Sequence, residues 1–240
     1  MNKIKFYPFN ASTAEFAPLP VLASKILPEW YKNQPGIVKN DQGLKSGVIN
    51  STVKKCMPVF DLLSAGYVIV APCDIHIDAT DPEKLSYSVP LTMKQFQSDM
   101  FATHAPEQYD HYPVDTSKYH KTLLRVMPFW SISTPEGYST LFAQPFHRED
   151  TGLFAMSAIV DTDKFISEGH LSFLVKKGFD GIIKQGTPLV QLVPFKRDSW
   201  ESEVVSAEDS SKQISSQRLN LRSTFMNGYK EKFRAKKEYK

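Results

Sequence analysis

From Tyr67 to Phe195 the chain carries a series of short apolar runs, each three to seven residues long and closed by Gly, Pro or Asp. These are Tyr67–Ala71, Ile75–Asp78, Ser139–Ala143, Phe154–Val160, Leu171–Val175, Gly181–Ile183 and Leu189–Phe195. No long helical pattern separates them, so the spacing predicts an antiparallel sandwich or barrel rather than a βαβ fold. Prolines outnumber glycines 16 to 11, which favours short strands and fixed turns over long helices. The expected class is β-rich, all-β or α+β.

Both flanks differ from this body. Pro18, Pro20, Pro28 and Pro35 punctuate the N-terminal part, and Val21–Tyr31 allows one short helix ending near Pro28. Residues 1–50 are therefore expected as a Pro-rich segment packed on a core of residues 51–205. Ser206–Ser216 is polar and reads as a linker. Beyond it Leu221, Phe225, Tyr229 and Phe233 recur every four residues among Lys and Arg, which predicts a basic amphipathic helix within residues 206–240. From Asp209 to Lys240 nine basic residues face three acidic ones. A helix docked on its own domain, on another copy or on a phage or host protein fits that pattern better than a nucleic-acid arm.

At 240 residues the chain suits one large domain or two small ones, and 41% hydrophobic residues exclude disorder for the bulk of it. A net charge of +3 does not single out a polyanionic partner. No apolar run reaches membrane-spanning length, and MNKIKFYPFN has no apolar signal core. Two cysteines, Cys56 and Cys73, make a disulfide framework unlikely on arithmetic alone and a reducing compartment the default expectation. Cys56 is expected to be a buried residue preceding a strand.

Four segments carry the chemistry: Ser64-Ala65-Gly66-Tyr67, Gly137-Tyr138-Ser139-Thr140-Leu141, Val160-Asp161-Thr162-Asp163 and Gly186-Thr187-Pro188-Leu189-Val190-Gln191-Leu192. In this order they resemble the first four motifs of the trimeric dUTPase and dCTP deaminase superfamily. The resemblance implies a dUTPase-like β-clip core and, by analogy, a homo-oligomer, a trimer in that family. It implies that Ser139, Thr140 and Gln191 contact phosphates, that Asp161 orients a water, and that Phe165 stands beside the base-stacking position. Backbone N–H groups and hydroxyls of a Gly-Ser turn suit an anion, and a carboxylate on the next strand suits water activation.

The chain departs from that pattern at four places. Val68 replaces the acidic residue of the first motif, Tyr138 the arginine of the second and Pro188 the arginine of the fourth, and Lys164 takes the aromatic position. The Gly-rich fifth motif is absent from the C-terminal sequence. A triphosphate would then need another cation, for which Arg148, Lys164 and Arg197 are the candidates. Asp161 and Asp163, with Glu149 or Asp150, could instead hold Mg²⁺, while an Asp-Thr-Asp turn is the alternative.

A second resemblance covers nearly the whole chain. Lys54–Asp61, Pro128–Tyr138, Leu153–Phe165, Phe179–Trp200 and Tyr229–Lys240 are similar to an uncharacterised family of tailed phages with distant bacterial relatives. It implies a phage protein located in the host cytoplasm or the virion, and not secreted. The expected function is that of a non-catalytic virion or accessory protein, or a binder of a nucleotide-like ligand. The alternative is an Mg²⁺-dependent nucleotide pyrophosphohydrolase.

Two other groups are weaker candidates. Asp74, His76 and Asp78 alternate along one strand and, with His147 or His170, could form a non-haem iron triad; a solvated strand face is the competing reading. His104, His111 and His120 match no zinc spacing and read as a loop with aromatic anchors. Trp30, Trp130 and Trp200 are expected as core or interface anchors.

Overall fold

The computed structural model describes residues 2–39, 49–91, 93, 100–127, 129–148, 151–166, 170–222 and 227–240. Two compact units emerge, residues 1–26 with 66–197, and residues 27–65 with 198–240. In chain order the strands are β1 (Lys5–Pro8), β2 (Val21–Leu22), β3 (Ile37–Lys39), β4 (Ile49–Ser51), β5 (Tyr67–Val70) and β6 (Ile75–Asp78). They continue with β7 (Ser86–Ser88), β8 (Phe101–His104), β9 (Leu123–Val126), β10 (Trp130–Ser133) and β11 (Tyr138–Ala143). The last are β12 (Leu153–Ala155), β13 (Ala158–Val160), β14 (Leu171–Val175), β15 (Asp180–Ile183) and β16 (Pro188–Lys196). All their pairings are antiparallel.

The first unit is the β-rich body. Its sheets run β13-β11-β16-β5-β2, β12-β14-β9-β8, β15-β6-β7 and β1-β10. Alternation along β6 sends Ile75 and Ile77 inward while His76 is exposed. With Phe173, Val175, Val126 and Leu192 they form one continuous core. Gly66 opens β5 at φ +68°, and a Cβ there would collide with the Leu192 carbonyl on β16. Glycine is the residue that permits this close approach.

Several expectations are corrected here. The run Phe154–Val160 is two strands in different sheets, β12 and β13, divided at Met156-Ser157. Within Val21–Tyr31 the expected helix is reduced to a single 3-10 turn, Ala23–Lys25, that stops three residues before Pro28. Val21 and Leu22 pair with β5, and Pro28 caps the start of α2 (Glu29–Asn33), the next α-helix after α1 (Ala11–Phe16), where its missing N–H costs nothing. Cys56 is exposed, at the N-cap of the short helix α3 (Met57–Leu63) and not before a strand. Cys73 is the buried cysteine, and desolvation pushes its thiol up to about 11. His104 belongs to β8, and His120 is buried with Nε2 3.0 Å from the Asp81 carbonyl oxygen.

The second unit contains the β3-β4 pair, α2, α3 and the C-terminal helices. Ser206–Ser216 is not a linker: α4 spans Ala207–Arg222, and the Asp209 N–H donates to Ser206 Oγ at 3.2 Å as an N-cap. A single C-terminal amphipathic helix is also corrected, because α5 (Gly228–Lys232) begins after Asn227 at φ +65°. Phe225 lies outside the described residues. Asp61, 9% exposed, accepts from Arg234 Nη2 at 2.6 Å and from Lys237 Nζ at 2.9 Å. The Arg234 hydrogen bonds hold its carboxyl below the ordinary carboxylate range. Among the described residues no helix is long and apolar enough to cross a membrane.

Candidate functional site

β11 and the turn after β13 bring the two motif residues Ser139 and Asp161 together. Ser139 Oγ donates to Asp161 Oδ1 at 2.6 Å. Arg197, one residue beyond β16, reaches the same place because Gln191–Lys196 of β16 pair with all of β11, with Lys196 opposite Tyr138. Its Nη1 donates to Ser139 Oγ at 3.0 Å, to Asp161 Oδ1 at 3.2 Å and to Asp163 Oδ1 at 2.8 Å, while Nη2 pairs with Asp163 Oδ2. Gly137 N–H donates to Asp163 Oδ2 at 2.8 Å. Both oxygens of Asp163 are thus engaged, and its side chain is only 2% exposed. The Arg197 hydrogen bonds, helped by that of Gly137, lower its carboxyl to about 2.

Asp161 differs from Asp163 in exposure, with 58% of its side chain open to solvent. A cation shared by the two carboxylates would therefore have to displace the Arg197 guanidinium from Asp163. Glu149 and Asp150, the other carboxylates considered for Mg²⁺, lie outside the described residues. Among the described residues, no group of three or more His, Cys, Asp or Glu side chains is arranged to hold a metal ion. His76 lies 3.0 Å from Asp180, Asp74 pairs with Lys184 at 2.8 Å, and Asp78 accepts from Thr80 at 2.9 Å, so the proposed iron triad residues face separate partners.

Thr140 points away from Ser139 into a buried hydroxyl cluster. Thr162 Oγ1 lies 2.8 Å from both Thr140 Oγ1 and Thr134 Oγ1. Gln191 is at the other end of β11, paired with Ala143. Four residues of strand separate it from Ser139, about 13 Å. There its Oε1 accepts from Phe146 N at 3.3 Å. Arg148 belongs to that end as well, where Nη2 donates to the Ile26 carbonyl. Within one chain, Ser139 and Asp161 converge, and Gln191 and Arg148 do not join them.

A cavity of about 250 Å³ lies behind this cluster, lined among others by Trp130, Phe142, Met156, Thr162, Phe165 and Ser172. Thr162 links the two features, since it lines the cavity while its neighbours Asp161 and Asp163 face Arg197. Phe165 is 54% exposed at the cavity, held by its N–H to the Asp161 carbonyl at 2.9 Å. Sequence reasoning identified Phe165 but not the aromatic partners Trp130 and Phe142 as cavity residues. Their signal would have been long-range pairing, which spacing along the chain does not carry.

No protein-family model matches the sequence, and neither does any curated protein. Among solved structures, the chain is similar to a mutant dUTPase from phage phi11 of S. aureus, a protein that coordinates a structural Mg(II) ion. That likeness has a TM-score of 0.36 at 11% identity, over 85% of this chain and 97% of that one. A Staphylococcus bacteriophage 80alpha dUTPase is similar with a TM-score of 0.36 at 11% identity, over 86% of this chain and 98% of that one.

Proposed function

We propose that this is a phage-type binding protein on a dUTPase-like core that holds a small nucleoside-like ligand without hydrolysing it. The observation that carries this reading is the commitment of Arg197 to Asp163. It is the one cation among the described residues that contacts Asp161, and both of its terminal nitrogens are already bound to the acid pair. A triphosphate carries about four negative charges and needs cations free to take them up as they develop. By contrast, the cavity offers flat aromatic walls, Trp130, Phe142 and Phe165, and hydroxyls at Thr162 and Ser172. Its volume, about 250 Å³, is just under the lower end of ordinary ligand pockets, which suits a base with its sugar better than a full nucleotide triphosphate.

The alternative, Mg²⁺-dependent pyrophosphohydrolysis, is favoured by the 2.6 Å Ser139–Asp161 contact, which leaves the exposed Asp161 carboxylate able to accept from a water. In that reading Asp161, with Asp163 after displacement of Arg197, would hold Mg²⁺. Association into a homo-oligomer belongs to the same proposal.

A thermal-shift screen against nucleosides and nucleotides, with and without Mg²⁺, separates these readings. Binding at a hundred times the dissociation constant stabilises a fold by about 2.7 kcal/mol. Mg²⁺-independent stabilisation by nucleosides, lost in Phe165→Ala and kept in Asp161→Asn, is the expected result. Stabilisation that requires both Mg²⁺ and Asp161 would contradict it.

A further inference from the structure

We infer that Arg125 is the anchor for a single oxyanion, a phosphate monoester or carboxylate, carried by the ligand of the adjoining cavity. This rests on the reading of that cavity as a ligand site. Arg125 occupies the middle of β9, the inner strand between β14 and β8, in the apolar run Leu123-Leu124-Arg125-Val126. Its Nε is buried and has no hydrogen-bond partner. Among the described residues no ion pair or hydrogen bond engages its guanidinium. Arginine stays charged at any physiological pH, so a buried donor on it left unmatched is costly and needs a physical reason.

The neighbours of Arg125 supply that reason. It stands directly opposite Ser172 on β14 and Ala102 on β8, so the three side chains share one face. Ser172 also lines the cavity, so the residue paired with Arg125 one strand spacing away, about 5 Å between backbones, belongs to the cavity wall. On this face a second polar contact crosses β9: Ser172 Oγ lies 3.3 Å from His104 Nε2, and His104 Nδ1 lies 3.1 Å from Gln108 Oε1. Arginine, hydroxyl and imidazole therefore come together from three neighbouring strands, β9, β14 and β8, and among the described residues no acidic side chain is paired with the arginine.

A guanidinium in this setting binds an oxyanion through two parallel N–H···O bonds, with the Ser172 hydroxyl as a further donor. One arginine neutralises one such group. The ligand it selects has an aromatic body for the cavity and one anionic end, and a triphosphate would leave further charges uncompensated. The nucleoside monophosphate and the aromatic carboxylate share this chemistry.

The test compares wild type, Arg125→Met and Arg125→Lys by thermal shift and titration. Probes are a nucleoside, its 5′-monophosphate, an aromatic carboxylate, and inorganic phosphate at constant ionic strength. Arg125→Met is expected to melt no lower than wild type without ligand, because it removes the buried, unmatched Nε donor while keeping the packing stem. It should also lose the preference for monophosphate over nucleoside, weakening the monophosphate roughly tenfold or more. Arg125→Lys should retain part of that preference. The carboxylate arm reports which oxyanion is preferred.

Failure of the cavity reading looks different: no nucleoside, nucleotide or aromatic carboxylate shifts either protein. The anion site is then read by inorganic phosphate alone, which should stabilise wild type and not Arg125→Met. An unliganded Arg125→Met that melts below wild type would overturn the inference in favour of a structural role. Equal responses of both proteins to every anionic probe would overturn it as well.

Discussion

Asp161 and Asp163 are two residues apart in sequence and chemically distinct. Asp163 is enclosed by the Arg197 guanidinium and the Gly137 N–H, whereas Asp161 faces solvent with Ser139 at its side. A carboxyl held at about 2 in the folded protein binds its proton less tightly than in the unfolded chain, where it titrates near 3.9. Its contribution to stability is therefore complete above about pH 4–5 and is lost as pH falls toward about 2. Arg197→Met removes the main cause of that depression and leaves a covered carboxylate. The variant is expected to melt below wild type at pH 7 and to lose less additional stability on acidification between pH 4 and 2. Melting curves across that range check both, and parallel acid profiles for the two proteins would show that Arg197 does not hold the carboxyl down.

At this scale the sequence carried part of the site. The order of short motifs singled out Ser139 and Asp161, and these do meet. It also named Gln191, but order along a chain does not state register, and β16 aligns Gln191 with Ala143 rather than with Ser139. Arg197 was one of three candidate cations, and only pairing of β11 with β16 selects it. Arg125 went unnoticed, although an arginine inside an apolar strand run is a signal in itself.

Among the elements, the strongly apolar strands were legible, whereas β1, β3, β4, β7, β8, β9 and β10 and the bounds of the helices were not. A run such as Tyr67–Val70 or Leu171–Val175 is bounded by turn residues and buried over most of its length, so periodicity and punctuation agree. The split of Phe154–Val160 escaped because both halves are apolar and only their partners differ. α4 escaped because it is exposed nearly throughout and has no apolar stripe; its mark was Ser206 with Asp209 three residues on, a helix-start signature.

Gly66 illustrates how one residue fixes an element. Its positive φ and the proximity of the Leu192 carbonyl leave no space for a side chain where β5 enters the sheet. Gly66→Ala is expected to destabilise by roughly 2–4 kcal/mol. Gly178, at φ +72° with open space around its Cβ position, provides the control, and its alanine variant should cost about 1 kcal/mol. Urea midpoints with unchanged slopes measure both. Equal losses at the two positions would show that backbone conformation alone, and not the approach of β16, governs Gly66.

On the scale of the whole molecule, the fold is β-rich and antiparallel, as the turn-punctuated sequence implied, and the chain contributes to two compact units in alternation. The cavity and the Ser139–Asp161–Arg197–Asp163 cluster both belong to the unit of residues 1–26 and 66–197. Binding without turnover is the central claim for that unit. It is tested most directly by ³¹P NMR of the protein incubated with deoxynucleoside triphosphates and Mg²⁺. The account predicts triphosphate resonances unchanged over hours beyond the protein-free control. Growth of monophosphate and pyrophosphate resonances that Asp161→Asn abolishes would contradict it, and would make Asp161 the water-orienting residue of a hydrolase.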